Sequence, residues 1–161
     1  MDKQNRKKMS VKYFQEAYQA HGHGDVNSAI QLYTKSIEAF PTPEALTYLG
    51  WALSFLGKFE EAITSCKKAI VLDPEFGNPY NDIGAYLIEM GKLDEAVPFL
   101  EKATKAQRYE SYYFPHYNLG RVWEGKGMIH KARQAYQKAL EVNPEYAIAK
   151  ESLDRLKYVL N

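Results

Sequence analysis

The chain has 161 residues, of which 45% are hydrophobic and 25% charged. This composition is typical of folded proteins and excludes collagen-like, low-complexity and disordered classes. The formal net charge of +1 gives no overall field that would attract nucleic acid or an anionic membrane, so we expect neither as a partner. The aromatic content is unusual, with 13 Tyr, 7 Phe and 2 Trp.

Residues 1–9 are basic and are predicted to form a solvated tail, with contact to nucleic acid or anionic lipid as the alternative. The cations are Lys3, Arg6, Lys7 and Lys8. This stretch lacks the apolar core of a signal peptide, and no segment reaches the roughly 18 apolar residues of a membrane-spanning helix. The single cysteine, Cys66, cannot form an intramolecular disulfide and is compatible with a reducing compartment. We therefore expect a soluble, cytoplasmic chain.

A pattern of small residues returns four times along the chain. A glycine is followed five residues later by an alanine, at steps of 33, 34 and 36 residues. The four pairs are Gly24 and Ala29, Gly57 and Ala62, Gly91 and Ala96, and Gly127 and Ala132. Another small residue precedes each glycine by seven residues, namely Ala17, Gly50, Gly84 and Gly120. A fixed period of this length indicates a stacked array of small units rather than one closed core.

Each unit is predicted to fold as two antiparallel helices. The glycine in the middle of the unit allows the positive φ of a helix C-terminus, and a proline closes three units. These prolines are Pro41, Pro74 and Pro144. The small residues are expected where two helices cross closely. Asn78 and Pro79 predict the start of a helix, as N-cap and first helical residue, whereas Pro98 either bends a second helix or is tolerated in its first turn.

These residues resemble the tetratricopeptide repeat, a helix-turn-helix of about 34 residues. The resemblance implies an all-α solenoid, a right-handed superhelix of antiparallel helix pairs. We place four repeats at residues 10–42, 43–76, 77–112 and 113–146. The first is degenerate because Glu16 and Ala17 stand where Leu-Gly is expected, and the third lacks its closing proline.

The segment 147–161 is predicted to form one more helix that caps the last repeat, because a solenoid otherwise exposes an apolar end. Its apolar face would hold Ala149, Leu153, Leu156 and Leu160.

No combination of side chains predicts catalysis. Cys66 stands at the place of a core aromatic residue and is expected to pack, with a reactive thiol as the weaker alternative. His21 and His23 suggest a metal site only weakly, since they lack a third ligand nearby in sequence. His116 replaces an aromatic residue and is expected to be partly buried. We therefore expect no enzyme activity, no cofactor and no metal.

In this family, one stripe of each first helix lines a concave groove that takes extended or helical peptides. The resemblance places in this groove Phe14, Tyr18, Tyr48, Trp51, Phe55, Asn81, Asp82, Tyr117, Asn118 and Arg121. The same stripe also holds His21, Thr47, Asn78, Ile88, Phe114 and Glu124. Aromatic and arginine side chains dominate interface energies, and asparagine amides pair with peptide backbone. The alternative is that the aromatic residues pack against the neighbouring repeat.

Family members that bind the C-terminal tails of Hsp70 and Hsp90 use a clamp of Lys, Arg and Asn. At the corresponding places this chain has Phe14, Tyr18, Tyr48, Asn78 and Asp82. The cationic clamp is therefore absent, and binding of chaperone tails is disfavoured.

The junction at residues 108–115 holds more aromatic side chains than a connecting turn requires, and either contacts a partner or staples the third repeat to the fourth. As a function, we predict a non-catalytic adaptor that binds a protein or peptide partner in the groove. The alternative is a self-assembling scaffold, a homo-oligomer in which the C-terminal helix or the junction of one copy fills the groove of another.

Overall fold

The computed structural model describes residues 1–159, and these form nine α-helices and no β-strand. Leu160, predicted on the apolar face of the last helix, lies outside the described residues. The helices divide between two compact units, one spanning Met1–Pro74 and the other beginning at Glu75. The expected all-α fold of paired helices is confirmed.

The first unit contains two helix pairs. Its helices are α1 (Lys3–Gly22), α2 (Val26–Ala39), α3 (Pro43–Phe55) and α4 (Phe59–Leu72). Each helix packs against the next one along the chain. Ala17, Ala29, Tyr33 and Ala52 are fully buried between them. Thr42 caps α3 by accepting a hydrogen bond from the Ala45 amide at 3.1 Å.

The second unit contains two helix pairs and a final helix. Its helices are α5 (Gly77–Glu89), α6 (Leu93–Lys105), α7 (Tyr113–Gly125), α8 (Ile129–Val142) and α9 (Ala147–Leu156). Ala132, Tyr136 and Leu156 form a buried cluster, against which Leu153 packs. The α9 helix thus covers α8 with the face predicted for it, but it ends at Leu156. The Arg133 guanidinium donates hydrogen bonds to the carbonyl oxygens of Leu156 and Val159 at this end.

The small residues of the repeat lie at close helix crossings. A Cβ atom added to Gly84 would lie 2.3 Å from Leu100 Cδ2, and one added to Gly120 would lie 2.3 Å from Tyr136 Cε1. At Gly50 the nearest atom would be Cys66 Sγ, at 2.9 Å, and Cys66 is buried as expected for a packing residue. Glycine is therefore required at these positions by the space between the two helices of each pair.

Residues 3–9 are not a tail, because they form the first turns of α1. Asp2 caps this helix by accepting a hydrogen bond from the Asn5 amide at 2.8 Å. Arg6 Nε donates to the Ala39 carbonyl oxygen at 2.9 Å, and the Lys7 ammonium lies 5.1 Å from the centre of the Phe40 ring. These cations therefore lie at the C-terminal end of α2, where the helix dipole favours positive charge.

The start of α5 also differs from the prediction. The helix begins at Gly77 rather than after Asn78, and Phe76 stands at the N-cap without a side-chain hydrogen bond. The amide of Gly77 donates instead to the Arg108 carbonyl oxygen at 3.0 Å, so the junction satisfies this helix end. Pro98 lies in the interior of α6, which continues to Lys105. It is therefore not a first-turn proline.

Candidate protein-binding faces

The groove residues predicted in the first unit lie together on one face, formed by α1 and α3. We call this the aromatic face, and it consists of Phe14, Tyr18, Tyr48, Trp51 and Phe55. The Tyr48 ring lies 5.3 Å from Phe14 and 5.8 Å from Tyr18, and Trp51 lies 5.6 Å from Phe55, between ring centroids. All three pairs meet edge to face, the arrangement that aromatic quadrupoles favour.

The aromatic face divides into an inner and an outer part. Phe14 and Tyr48 are half-buried and pack on the core cluster, so for them the packing alternative holds. Tyr18, Trp51 and Phe55 are exposed by 53%, 40% and 61%. Trp51 and Phe55 are thus neighbours in contact with water, and Tyr18 is joined to them through Tyr48, which packs against both Tyr18 and Trp51.

Thr47 does not belong to this face. Its side chain is buried, and its hydroxyl donates to the Pro43 carbonyl oxygen at 2.7 Å. The expectation that Thr47 lines the groove is therefore wrong, because the hydroxyl bonds to its own helix one turn back.

His21 lies beneath the outer rings of the aromatic face. Its ring centroid is 4.0 Å from that of Trp51 and 5.3 Å from that of Phe55, and Nδ1 lies 3.5 Å from the Tyr33 hydroxyl. Nε2 is buried and has no hydrogen-bond partner among the described residues. Burial lowers the pKa of His21, which favours the neutral ring. Within residues 1–159, no group of three or more His, Cys, Asp or Glu side chains is placed to hold a metal ion.

The groove residues predicted in the second unit include a polar set on α5 and α7. We call this the polar face, and it consists of the predicted Asn81, Asp82, Asn118 and Arg121 together with Glu89, which is not among the predicted groove residues. Asn118 Nδ2 donates to Asn81 Oδ1 at 2.9 Å, and Arg121 Nη1 donates to Asn118 Oδ1 at 3.2 Å. Arg121 Nη2 also forms an ion pair with Glu89 Oε1 at 2.6 Å. The two buried amides therefore bind one another and join α5 to α7.

Asp82 is the exception in the polar face. The residue is half-buried, and its carboxylate accepts a long hydrogen bond of 3.5 Å from Asn81 Nδ2. No cation forms an ion pair with it in the part of the chain that the structure describes. Burial raises the pKa of Asp82 to about 7. A carboxyl group on an open face is thus poised between its neutral and charged forms near neutral pH.

The junction packs on the start of α5. The Arg108 amide donates to the Glu75 carbonyl oxygen at 2.9 Å, and the Arg108 guanidinium lies 3.9 Å from the centre of the Phe76 ring. Tyr109 lies over Gly77, where an added Cβ atom would be 2.6 Å from Tyr109 Cγ. Burial raises the pKa of Tyr109, and the nearby Asp82 charge raises it further. These contacts tie this part of the junction to the start of α5.

A tyrosine-rich cluster adjoins the end of the junction. Tyr146 lies 4.9 Å from Tyr113, 5.7 Å from Phe114 and 5.5 Å from Tyr117, between ring centroids. Tyr117 also packs 5.5 Å from the buried Tyr136. Neither Tyr109 nor Tyr146 is among the predicted groove residues, because both lie outside the first helices whose periodicity carries the prediction.

Two family models described as tetratricopeptide repeat match the chain, one over residues 43–76 and 114–146 and the other over residues 78–110. The chain belongs to the tetratricopeptide repeat family. Tetratricopeptide repeat proteins generally mediate protein–protein interactions, and their solenoids are generally non-catalytic. None of the described helices is both long and apolar enough to cross a membrane.

Curated relatives share the repeats over part of their length. Heat shock protein STI1 of Saccharomyces cerevisiae is 28% identical over 127 residues, which cover 78% of this chain and 20% of STI1. Small glutamine-rich tetratricopeptide repeat-containing protein 2 of Mycosarcoma maydis is 33% identical over 91 residues, covering 56% of this chain and 26% of that protein. The chain therefore spans about a quarter or less of these relatives.

Solved structures share the tetratricopeptide repeat fold. A crystal structure of MamA protein superimposes with a TM-score of 0.74 at 28% identity, covering 92% of this chain and 80% of MamA. Pseudomonas aeruginosa PilF superimposes with a TM-score of 0.88 at 21% identity, covering 96% of this chain and 70% of PilF.

Proposed function

We propose that this tetratricopeptide repeat chain is an adaptor that binds an extended or helical segment of a partner protein on its aromatic face. The observation that carries the proposal is the exposure of Tyr18, Trp51 and Phe55 on one connected group of aromatic rings. Such rings bury much apolar area on binding and lose little conformational entropy, which is why they are enriched at binding hot spots. Phe14 and Tyr48 support them from the core side.

The polar face is proposed as a second contact for the same kind of ligand. Asn81 and Asn118 are fixed by their mutual hydrogen bond, and Arg121 is held by Asn118 and Glu89. The buried pair of Asn81 and Asn118 thus holds the Arg121 side chain in place, so ordering its guanidinium costs little when a peptide binds. Tyr117 lies on the same helix as Asn118 and Arg121 and extends this contact.

Neither face offers the lysine and arginine clamp of the family members that bind chaperone tails. Asp82 places an acidic group on the polar face, and Arg121 is neutralised by Glu89. We therefore propose a partner other than an acidic chaperone tail. The net charge of +1 further supports a protein partner rather than nucleic acid or a membrane. A cytoplasmic, non-catalytic role is part of the proposal.

The test uses peptides selected by the full chain from a random twelve-residue display library. Binding of the selected peptide is measured by fluorescence anisotropy for the wild type and for Trp51→Ala. If Trp51 is a hot spot, we expect a loss of about 2 kcal/mol, or roughly 30-fold in affinity. Val71→Ala on α4 is the matched control, because Val71 is also an exposed apolar residue, at 81%.

Unchanged binding by Trp51→Ala, with the helical circular dichroism intact, would contradict the proposed role of the aromatic face. A loss of affinity in Val71→Ala of the same size would also contradict it, because the effect would then be general to exposed apolar residues.

Self-assembly is the second candidate function. Ile148 and Tyr158 expose apolar surface at the C-terminal end of the second unit, at 49% and 90%. A second copy binding there would produce a mass that rises with protein concentration in light scattering. A mass that stays that of a monomer at all concentrations would exclude this candidate and leave the adaptor.

A further inference from the structure

We propose that Asp82 recognises a cationic side chain, lysine or arginine, of the segment that the chain binds. This inference deepens the proposed function and rests on it, because it names the chemistry of the ligand at the polar face.

The position of Asp82 among its neighbours carries the inference. Three carboxylates of the second unit pair with cations of neighbouring helices, namely Glu89 with Arg121, Asp94 with Lys126 and Glu124 with Arg155. The glutamates of this unit that form no ion pair within residues 1–159, such as Glu95 and Glu101, are exposed to water, whereas Asp82 is half-buried. Asp82 has no such pair among the described residues, although Arg121 belongs to the same face. The hydrogen-bonding of Arg121 to Asn118 and Glu89 holds its guanidinium in place. The carboxylate of Asp82 is therefore left for a group from outside.

The surroundings of Asp82 favour a cation over other ligands. The Tyr109 phenol is close enough for the Asp82 charge to act on it, and the Tyr109 ring packs 5.4 Å from Tyr112. Aromatic faces attract cations, so the Tyr109 ring near Asp82 adds an attraction of the same sign. An anionic ligand would meet the Asp82 charge in a partly desolvated place, where repulsion is stronger than in water.

Partial burial also explains why a cation would be bound strongly here. The rise of the Asp82 pKa to about 7 means that the charged carboxylate is costly on the empty face. A ligand cation that pairs with the carboxylate offsets part of that cost, and its binding is linked to the ionisation of Asp82. The Asp82 residue as a whole is half-buried.

The first experiment uses the peptide from the display selection, with lysine, norleucine and glutamate placed in turn at each position. Norleucine matches the carbon chain of lysine without the charge. At one position we expect the wild type to prefer lysine over norleucine by about tenfold or more, the usual size of a charge-assisted hydrogen bond. Asp82→Asn should lose this preference and still bind the norleucine peptide.

Asp154→Asn is the matched control, because Asp154 is an exposed aspartate on α9 that pairs with Lys157. It should keep the lysine preference. The inference is overturned if the wild type shows no lysine preference at any position, or if Asp82→Asn retains it. Failure of the proposed function is a different result, namely unchanged peptide binding in Trp51→Ala.

The second experiment needs no peptide. Methylguanidinium chloride is titrated into the full chain while the carboxyl carbon of Asp82 is followed by NMR, with N-methylurea as the neutral control. A saturable shift at Asp82 with methylguanidinium, and none with N-methylurea, is the expected result. Equal responses to the two compounds, or no saturable response, would overturn the inference.

Discussion

The imidazole of His21 lies 4.0 Å from the indole of Trp51, measured between ring centroids, and is buried beneath it. The outer part of the aromatic face at Trp51 therefore rests on a titratable group. Because burial lowers the His21 pKa, the ring beneath Trp51 is neutral at pH 7. A charge on His21 would have to be accommodated among Trp51, Phe55 and Tyr33, with no hydrogen-bond partner for Nε2 in the described structure.

Acid is expected to destabilise the chain through His21. The folded pKa lies below the ordinary value, so unfolding takes up a proton at low pH. The contribution of His21 to the free energy of unfolding is therefore fully present above pH 6.5 and is lost as the pH falls through the folded pKa. Urea denaturation at pH 7 and pH 5 measures the loss.

In His21→Phe, the loss of unfolding free energy between pH 7 and pH 5 should be smaller than in the wild type. His23→Phe is the control, because His23 is exposed and next but one in sequence. Equal losses in the wild type and in His21→Phe would show that His21 is not the group responsible.

The repeat spacing predicted the helix pairs because a small residue is required wherever the two helices of a pair cross closely. Gly84 and Leu100 lie in different helices, and the Leu100 side chain occupies the space that a Cβ atom at residue 84 would need. A constraint of this kind recurs in every repeat, so it shows in the sequence as a period. The positions of Trp51 and Arg121 followed from the same period, since they lie on the other side of the same helices.

The remaining features depend on contacts that occur once in the chain. The turns of α1 before residue 10 are fixed by Arg6 at the end of α2, and the start of α5 by the Arg108 backbone. The pairing of Asn81 with Asn118 spans 37 residues, and the burial of Asp82 depends on its surroundings in three dimensions. None of these contacts recurs in every repeat. The sequence pattern therefore predicts which helix holds each residue, but not the groups that the residue contacts.

Gly84→Ala is expected to destabilise the chain by about 1–3 kcal/mol, the usual cost of adding a methyl group to a packed core. The new Cβ would lie 2.5 Å from Leu100 Cγ, a branched carbon close to its own helix that cannot move away freely. Chemical denaturation followed by circular dichroism measures the change.

Gly22→Ala is the control for this substitution. An added Cβ atom at Gly22 meets nothing within 4 Å, and Gly22 is the last residue of α1. Alanine there should leave stability unchanged or raise it by up to about 1 kcal/mol, because it restricts the unfolded chain. Similar losses in both variants would show that Gly84 is not selected by its contact with Leu100.

Ser10→Ala is expected to destabilise the first unit by about 1–3 kcal/mol, because a buried partner would be left without its hydrogen bond. Ser10 Oγ donates to the Phe40 carbonyl oxygen at 2.8 Å and lies 3.0 Å from Ser36 Oγ. Gln15→Ala, at an exposed position of the same helix, should cost far less in a thermal melt. Equal melting temperatures for Ser10→Ala and the wild type would contradict this account of how α1 is fixed.

The contribution of Asp82 to stability should change with pH in the direction opposite to that of His21. Its folded pKa of about 7 lies above the ordinary value of 3.8, so its contribution to stability is fully present below pH 3.8 and is lost as the pH rises through about 7. Among the neighbouring groups, Arg121 and Glu89 form an ion pair, and burial raises the pKa of Tyr109. The unfolding free energy of the wild type, relative to that of Asp82→Asn, should fall by about 2 kcal/mol between pH 5 and pH 8.

Taking the difference between the two proteins removes the opposing contribution of the histidines, which both share. A difference that stays constant with pH would show that the Asp82 carboxyl is already ionised on the empty polar face at pH 5, and that its surroundings do not hold it neutral.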